Sequence, residues 1–241
     1  MANTGNVIIT ERDVNPDSPS YGQTRTRTIQ DTSYCQTGKN YKAKYTTVDT
    51  AGYTYSYCNG NPLLSGEDLS GQVVLLEIGD CVTTIGEKLF YNSTTLKTVT
   101  MLNNVTTIND SAFDLCSELS SVTLSKGLKT IGGYAFAGCS KLANIEIPEG
   151  VETIGQLAFS GCSLFTEIVL PSTITVIDTL SFRNCPKLVS FTVKAKVPPA
   201  FGKNVFDLTP CTIYVPAESL YEYRNADLWS DYASRIQPIQ S

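Results

Sequence analysis

From Leu142 to Cys162 the chain reads LANIEIPEGVETIGQLAFSGC, and this stretch decides the fold. Leu142, Ile145 and Ile147 are apolar, and polar Asn144 and Glu146 stand before and between the last two. That alternation is the period-2 signature of a half-buried strand. After Pro148-Glu-Gly come Val151 and Ile154, then Gly155, then Ala158-Phe159, and Cys162 three residues later. One such unit cannot bury its own apolar positions, so it needs neighbours built the same way.

The neighbours are in the sequence. Ile85, Ile108, Ile131, Ile154 and Ile177 are each 23 residues apart, as are Phe90, Phe113, Phe136, Phe159 and Phe182. Three more apolar columns run Leu96, Leu119, Leu142, Phe165, Leu188; Val99, Val122, Ile145, Ile168, Phe191; and Met101, Leu124, Ile147, Leu170, Val193. A fixed period of this length marks a solenoid. After each isoleucine of the first column stands Gly86, Asn109, Gly132, Gly155 or Asp178. These residue types tolerate a left-handed backbone, so the coil is expected to turn there. Leu89, Ala112, Ala135, Ala158 and Ser181 precede the phenylalanines, mostly small as a crowded interior requires, and Ser93, Cys116, Cys139, Cys162 and Cys185 follow three residues after them.

The unit therefore reads as a strand LxxVxL, a turn, VxxIG, and a short helical or irregular piece AFxxC. Stacked strands would form a parallel sheet on one face at ~4.8 Å spacing, so about six coils would span only ~25–30 Å. The run from Val73 to Pro210 resembles the BspA-like class of bacterial leucine-rich repeats, whose units read LxxIxIPxxVxxIGxxAFxxC. Leu142–Cys162 matches that pattern almost letter for letter. The first unit departs from it with Val73 and Ser93, and the sixth is degenerate around KVPPAFGKNVF, as terminal repeats tend to be.

The resemblance implies a β-rich leucine-rich-repeat solenoid of about six 23-residue coils over residues 71–210. The segment 211–241 resembles the family's closing segment: Thr212–Val215 suits a last strand, Glu218–Ala226 a short helix, and Trp229 and Tyr232 can cover the open core. Trp229 is read as a capping aromatic rather than a ligand platform. Residues 1–70 do not repeat. Val14–Pro19 and Thr24–Thr28 read as extended chain with turn signals, and the Tyr/Thr-rich stretch Thr32–Tyr57 around a central DTAG turn reads as a hairpin. This region is expected to be a small N-terminal β module or cap.

Composition narrows the function. Only 17% of residues are charged, against a typical ~25%, while threonine and serine are abundant at 29 and 22 copies. The net charge of −5 argues against a general nucleic-acid binder, which needs a basic stripe. No run of about 18 apolar residues is present to span a membrane. There is no histidine, which removes the commonest general base, the commonest zinc ligand and every imidazole triad. The opening MANTGNVIITERD lacks the apolar core of a signal peptide, which leaves two readings: a leader removed, or a chain made without one.

Each chemical candidate has a plainer reading. Zinc wants a tetrahedron of ligands, whereas Cys116, Cys139, Cys162 and Cys185 form a straight column and read as small buried hydrophobes. Cys35 and Cys58 flank the hairpin and are candidates for a disulfide, with Cys81 and Cys211 as competing partners. Glu146 and Glu167 suggest a glycosidase pair but read as solvated surface residues. Asn92, Asn104 and Asn109 open glycosylation sequons that matter only in a eukaryotic secretory pathway. No catalytic, cofactor-binding or metal-binding residues are identified, and no cofactor is expected.

The candidate binding face is the outer side of the sheet: Thr98, Ser121, Asn144, Glu167 and Ser190 in one column, Thr100, Thr123, Glu146, Val169 and Thr192 in the next. The expectation is a non-enzymatic binding or adhesion module, at the cell surface or secreted, meeting a protein or glycan. The alternative is a structural spacer or assembly subunit without export. Ligand and oligomeric state are not readable from these residues.

Overall fold

A computed structural model of the chain describes residues 82–240 throughout. It also describes the side chains of Leu76 and Ile78, and the backbone of five strands at Asn6–Asp13, Thr24–Gln30, Ala43–Val48, Tyr53–Asn59 and Val73–Ile78. The chain winds into a solenoid of about seven turns with three walls.

The first wall is the broad sheet anticipated from LxxVxL. Val73–Ile78, Thr98–Met101 and Ser121–Thr123 pair in parallel, and so do Glu167–Leu170, Ser190–Val193, Thr212–Val215 and Ile236–Pro238. Register is the 23-residue period itself, as in Thr98↔Ser121 and Glu167↔Ser190. At the N-terminal end Ala43–Val48 joins Val73–Ile78 antiparallel, then pairs with Tyr53–Asn59 across the predicted DTAG turn. Asn6–Asp13 and Thr24–Gln30 complete this antiparallel extension.

The second wall is a ladder within VxxIG, to which the sequence pattern assigns no element. Thr84–Ile85, Thr107–Ile108, Thr130–Ile131, Thr153–Ile154, Val176–Ile177 and Ala200–Phe201 pair in parallel without interruption. Each strand is only two residues long, too short for periodicity to reveal.

The third wall, AFxxC, is irregular by backbone angles yet bonded coil to coil. Phe113 N–H donates to Ala135 O at 2.8 Å and Phe136 N–H to Ala158 O at 2.8 Å. The coil turns directly after Gly86, Asn109, Gly132, Gly155 and Asp178, as expected, but these residues are not themselves left-handed. The left-handed residues lie two positions later, at Lys88, Ser111, Tyr134, Leu157 and Leu180, and again at Asn92, Leu115, Gly138, Gly161 and Asn184. Their N–H groups reach forward to the next coil, as Tyr134 does to Gln156 O at 2.8 Å. A left-handed non-glycine residue costs ~1–2 kcal/mol, which the coil-to-coil bond helps to offset. Glycine at 132 and 155 answers a different need. A Cβ on Gly155 would lie 2.6 Å from Gly133 N, and one on Gly132 would lie 2.8 Å from Asn109 C. Asp178, in the same column, folds its carboxylate onto its own neighbour, accepting from Thr179 N–H at 2.6 Å.

Between the walls runs a stack of phenylalanine rings. Phe90, Phe113, Phe136 and Phe159 follow one another at 5.3–5.6 Å with planes within 9°. Phe182 continues the stack at 5.3 Å, and Phe206 follows at 6.3 Å. All are buried, along with the isoleucine, leucine and valine columns apart from half-buried Val122. The C-terminal segment closes the core as a 3-10 turn at Ala217–Ser219, a helix at Leu220–Asn225 and a second 3-10 turn at Ser230–Arg235. Trp229 lies over Phe201 at 3.9 Å and donates its indole N–H to Pro199 O at 2.8 Å, so it is a capping aromatic as expected.

One column contains a misfit. Ser181 stands where Ala112, Ala135 and Ala158 stand in earlier coils, fully buried, and its hydroxyl has no hydrogen-bond partner. A buried polar group left unpaired costs about 1–3 kcal/mol. Ser181→Ala should therefore raise the unfolding free energy by ~1 kcal/mol in a urea titration. A loss of stability would show that the hydroxyl has a partner.

Candidate functional site

The broad sheet sets the two outward columns. Ser121, Thr123, Asn144, Glu146 and Glu167 are exposed, while Thr98, Thr100, Val169, Ser190 and Thr192 are half-buried. Thr98, Thr100, Ser190 and Thr192 lie away from the middle coils, whereas Val169 stands beside the cavity described below. The same columns continue beyond the expected residues. Thr212 and Tyr214 pair with Ser190 and Thr192, placing an aromatic on the face. Spacing hid this residue, because the step from Thr192 to Tyr214 is 22 rather than 23. No helical layer covers this face among the described residues.

The sheet is not continuous. Asn144–Ile147, which the sequence assigns to a strand, is in no strand, so the broad sheet divides into two at this coil. Proline explains part of the division. In regular coils the residue after the strand donates back one coil, as Leu102 N–H does to Ile78 O at 2.9 Å and Lys194 N–H to Leu170 O at 3.2 Å. Pro148 and Pro171 occupy that position in two successive coils and have no N–H to give. The carbonyls of Leu124 and Ile147 lose their rungs. Ile145, Ile147 and Leu124 are each 7% exposed and Val122 in the adjoining coil is half-buried, whereas Val99, Ile168, Leu170 and Val193 are at 0–1% and Met101 at 3%.

A cavity of about 690 Å³ opens at this break, lined by Asn144, Glu146, Pro148, Glu149, Glu167 and Lys194 among others. Glu149 is engaged: it accepts from Ser172 N–H at 3.2 Å and lies 3.8 Å from Lys194 Nζ. Glu146 and Glu167 form no ion pair or side-chain hydrogen bond among the described residues. Both are exposed, as the reading of them as solvated residues requires.

The cysteine column lies elsewhere, inside the third wall. Cys116, Cys139, Cys162 and Cys185 are free and fully buried. Each thiol donates to a phenylalanine carbonyl of the preceding coil, from Cys116 to Phe90 O at 3.1 Å to Cys185 to Phe159 O at 3.4 Å. Thr209 takes the next place and donates its hydroxyl to Phe182 O at 2.7 Å. From Cys116 to Thr209 the position therefore holds a small buried donor, whereas Ser93 at the head of the column is buried with its hydroxyl unpartnered among the described residues. Burial pushes the Cys116 and Cys185 thiols up to about 12, and Cys139 and Cys162 well above the ordinary thiol range. Cys211 is also free and buried, with Arg235 at 3.1 Å from its sulfur, which removes it as a disulfide partner. Cys35, Cys81 and the Cys58 side chain lie outside the described residues. Among the described residues no group of acidic or cysteine side chains could hold a metal ion, and no helix is long and apolar enough to cross a membrane.

The chain matches a family model described as BspA type Leucine rich repeat region, in 6 copies over residues 76–211. It is also similar to solved bacterial proteins. A leucine-rich-repeat protein of T. pallidum is 25% identical, with a TM-score of 0.47 over 55% of this chain and 74% of that one. A leucine rich cell surface protein of Faecalibacterium prausnitzii is 27% identical, with a TM-score of 0.48 over 62% and 38%. A leucine-rich repeat protein of Bacteroides ovatus is 21% identical, with a TM-score of 0.46 over 62% and 52%. The chain thus spans about half the Bacteroides protein or less of the length of the other. No curated protein matches it.

Proposed function

Since the chain belongs to the BspA-type leucine-rich-repeat family, we propose that it is a non-enzymatic binding module that presents the broad sheet to a protein or glycan. We infer that it works at the cell surface or outside the cell, a reading its membership of this bacterial repeat family supports. The observation that supports this reading is the uncovered outer face, with Ser121, Thr123, Asn144, Glu146 and Glu167 exposed on it. A solenoid stacks small units so that single residues from many coils align into one extended contact surface. Polar residues that make few contacts with their own chain are free to make them with another.

A glycan and host-protein array probed with the folded chain tests this. Binding above background is expected, weakened by replacing exposed residues of the two columns. An array with no signal, from protein shown to be folded by its melting transition, would refute the binding reading and favour the spacer alternative.

A further inference from the structure

We propose that the break in the broad sheet is a subsite for an extended polypeptide segment carrying lysine or arginine side chains. This deepens the binding reading and rests on it. At the break the backbone of Asn144–Ile147 has no ladder partners, and the lining holds three carboxylates (Glu146, Glu149 and Glu167) against one ammonium (Lys194). Pro148 and Pro171 supply no N–H, which frees the carbonyls of Leu124 and Ile147 from their rungs. Beside them stand Glu146 and Glu167, without an ion pair among the described residues, and Glu149, already shared with Lys194. An anionic cleft of this kind is satisfied by cationic groups. Lysine ammonium offers three N–H donors and arginine guanidinium about five, and neither accepts. Neutral sugar hydroxyls would leave the charge uncompensated.

Geometry decides how such a segment lies. The second wall stays fully paired through this coil, with Thr153 bonded in register to Thr130 and Val176. Coil spacing is therefore held near one strand width, ~4.8 Å, and inserting another strand would need twice that. The segment lies over the break rather than within the sheet, and its side chains reach down. Glu167 is one coil along from Asn144 and Glu146 two residues along from it, a diagonal of ~8 Å from strand spacing and rise. Alternate residues of an extended chain lie ~6.6 Å apart on one side, so two cations at i and i+2 can address both carboxylates. The cavity of about 690 Å³ is within the range of formed ligand sites, about 300–1,000 Å³.

The test uses the full chain and a fluorescent heptapeptide alternating serine with arginine, with a glutamate-for-arginine peptide as comparison, read by anisotropy. The arginine peptide should bind and the glutamate peptide should not. Glu146→Gln with Glu167→Gln should weaken binding at least tenfold with an unchanged melting temperature. Glu87→Gln with Glu222→Gln removes the same charge far from the break and should leave binding within twofold. No binding of the arginine peptide, equal weakening by both double variants, or no weakening by the first would each overturn the proposal. An array partner whose binding ignores Glu146 and Glu167 would overturn the subsite and leave the binding reading standing, whereas an empty array would refute both.

Discussion

Phe136→Ala should destabilise the protein by ~3–5 kcal/mol in equilibrium urea unfolding. The ring is fully buried and stacks on Phe113 at 5.3 Å and on Phe159 at 5.6 Å. Truncation therefore leaves a cavity shared by three coils, and neighbours held by the second-wall ladder collapse poorly into it. In a repeat protein each coil depends on its nearest neighbours, so a central defect weakens coupling on both sides. Thr123→Ala, on the exposed face of a neighbouring coil, should change stability by less than about half a kcal/mol. The opposite ranking would reverse the assignment of inward and outward columns.

Trp229→Ala should cost a similar ~3–5 kcal/mol, but locally. Trp229 is 1% exposed, stacks on Phe201, meets Tyr223 edge-on at 4.9 Å and satisfies Pro199 O. Its removal opens the end of the core and strands a buried carbonyl, which adds its own cost. The last coil and the closing helix should then fray before the centre unfolds. Hydrogen exchange should speed up in Thr212–Val215 while Thr130–Ile131 stays protected. Uniform loss of protection along the solenoid would mean that the cap does not act at the end alone.

Much of this was legible in the sequence because a strict period converts residue identity into position. Once Ile154 and Phe159 were placed, their equivalents in four other coils followed. What the period could not convey was backbone detail. The left-handed sites fall on Lys88, Tyr134, Leu157 and Leu180, residue types that give no sign of it, because the hydrogen bond to the next coil sets the geometry. The break at Asn144–Ile147 was hidden for the opposite reason: its letters fit the strand pattern best of all. The absent N–H of Pro148 and Pro171 explains part of it, and that matters coil to coil rather than within one unit. Of the outward columns, Ser121, Thr123, Asn144, Glu146 and Glu167 are exposed and Thr98, Thr100, Val169, Ser190 and Thr192 half-buried, a difference that the alternation within one strand does not convey.

The central claim is that 23-residue coils stack in register, with one column of side chains sharing one interior environment. Cys116, Cys139, Cys162 and Cys185 report on it directly, since each is buried and bonded to the preceding coil in the same way. The thiolate is the reactive form, and burial holds these thiols protonated. The folded chain treated with an alkylating reagent at neutral pH, then digested and weighed peptide by peptide, should show all four unmodified. The same chain unfolded without reductant should be alkylated at all four. Rapid labelling of any of them in the native state, or a disulfide within the column, would contradict the stacking.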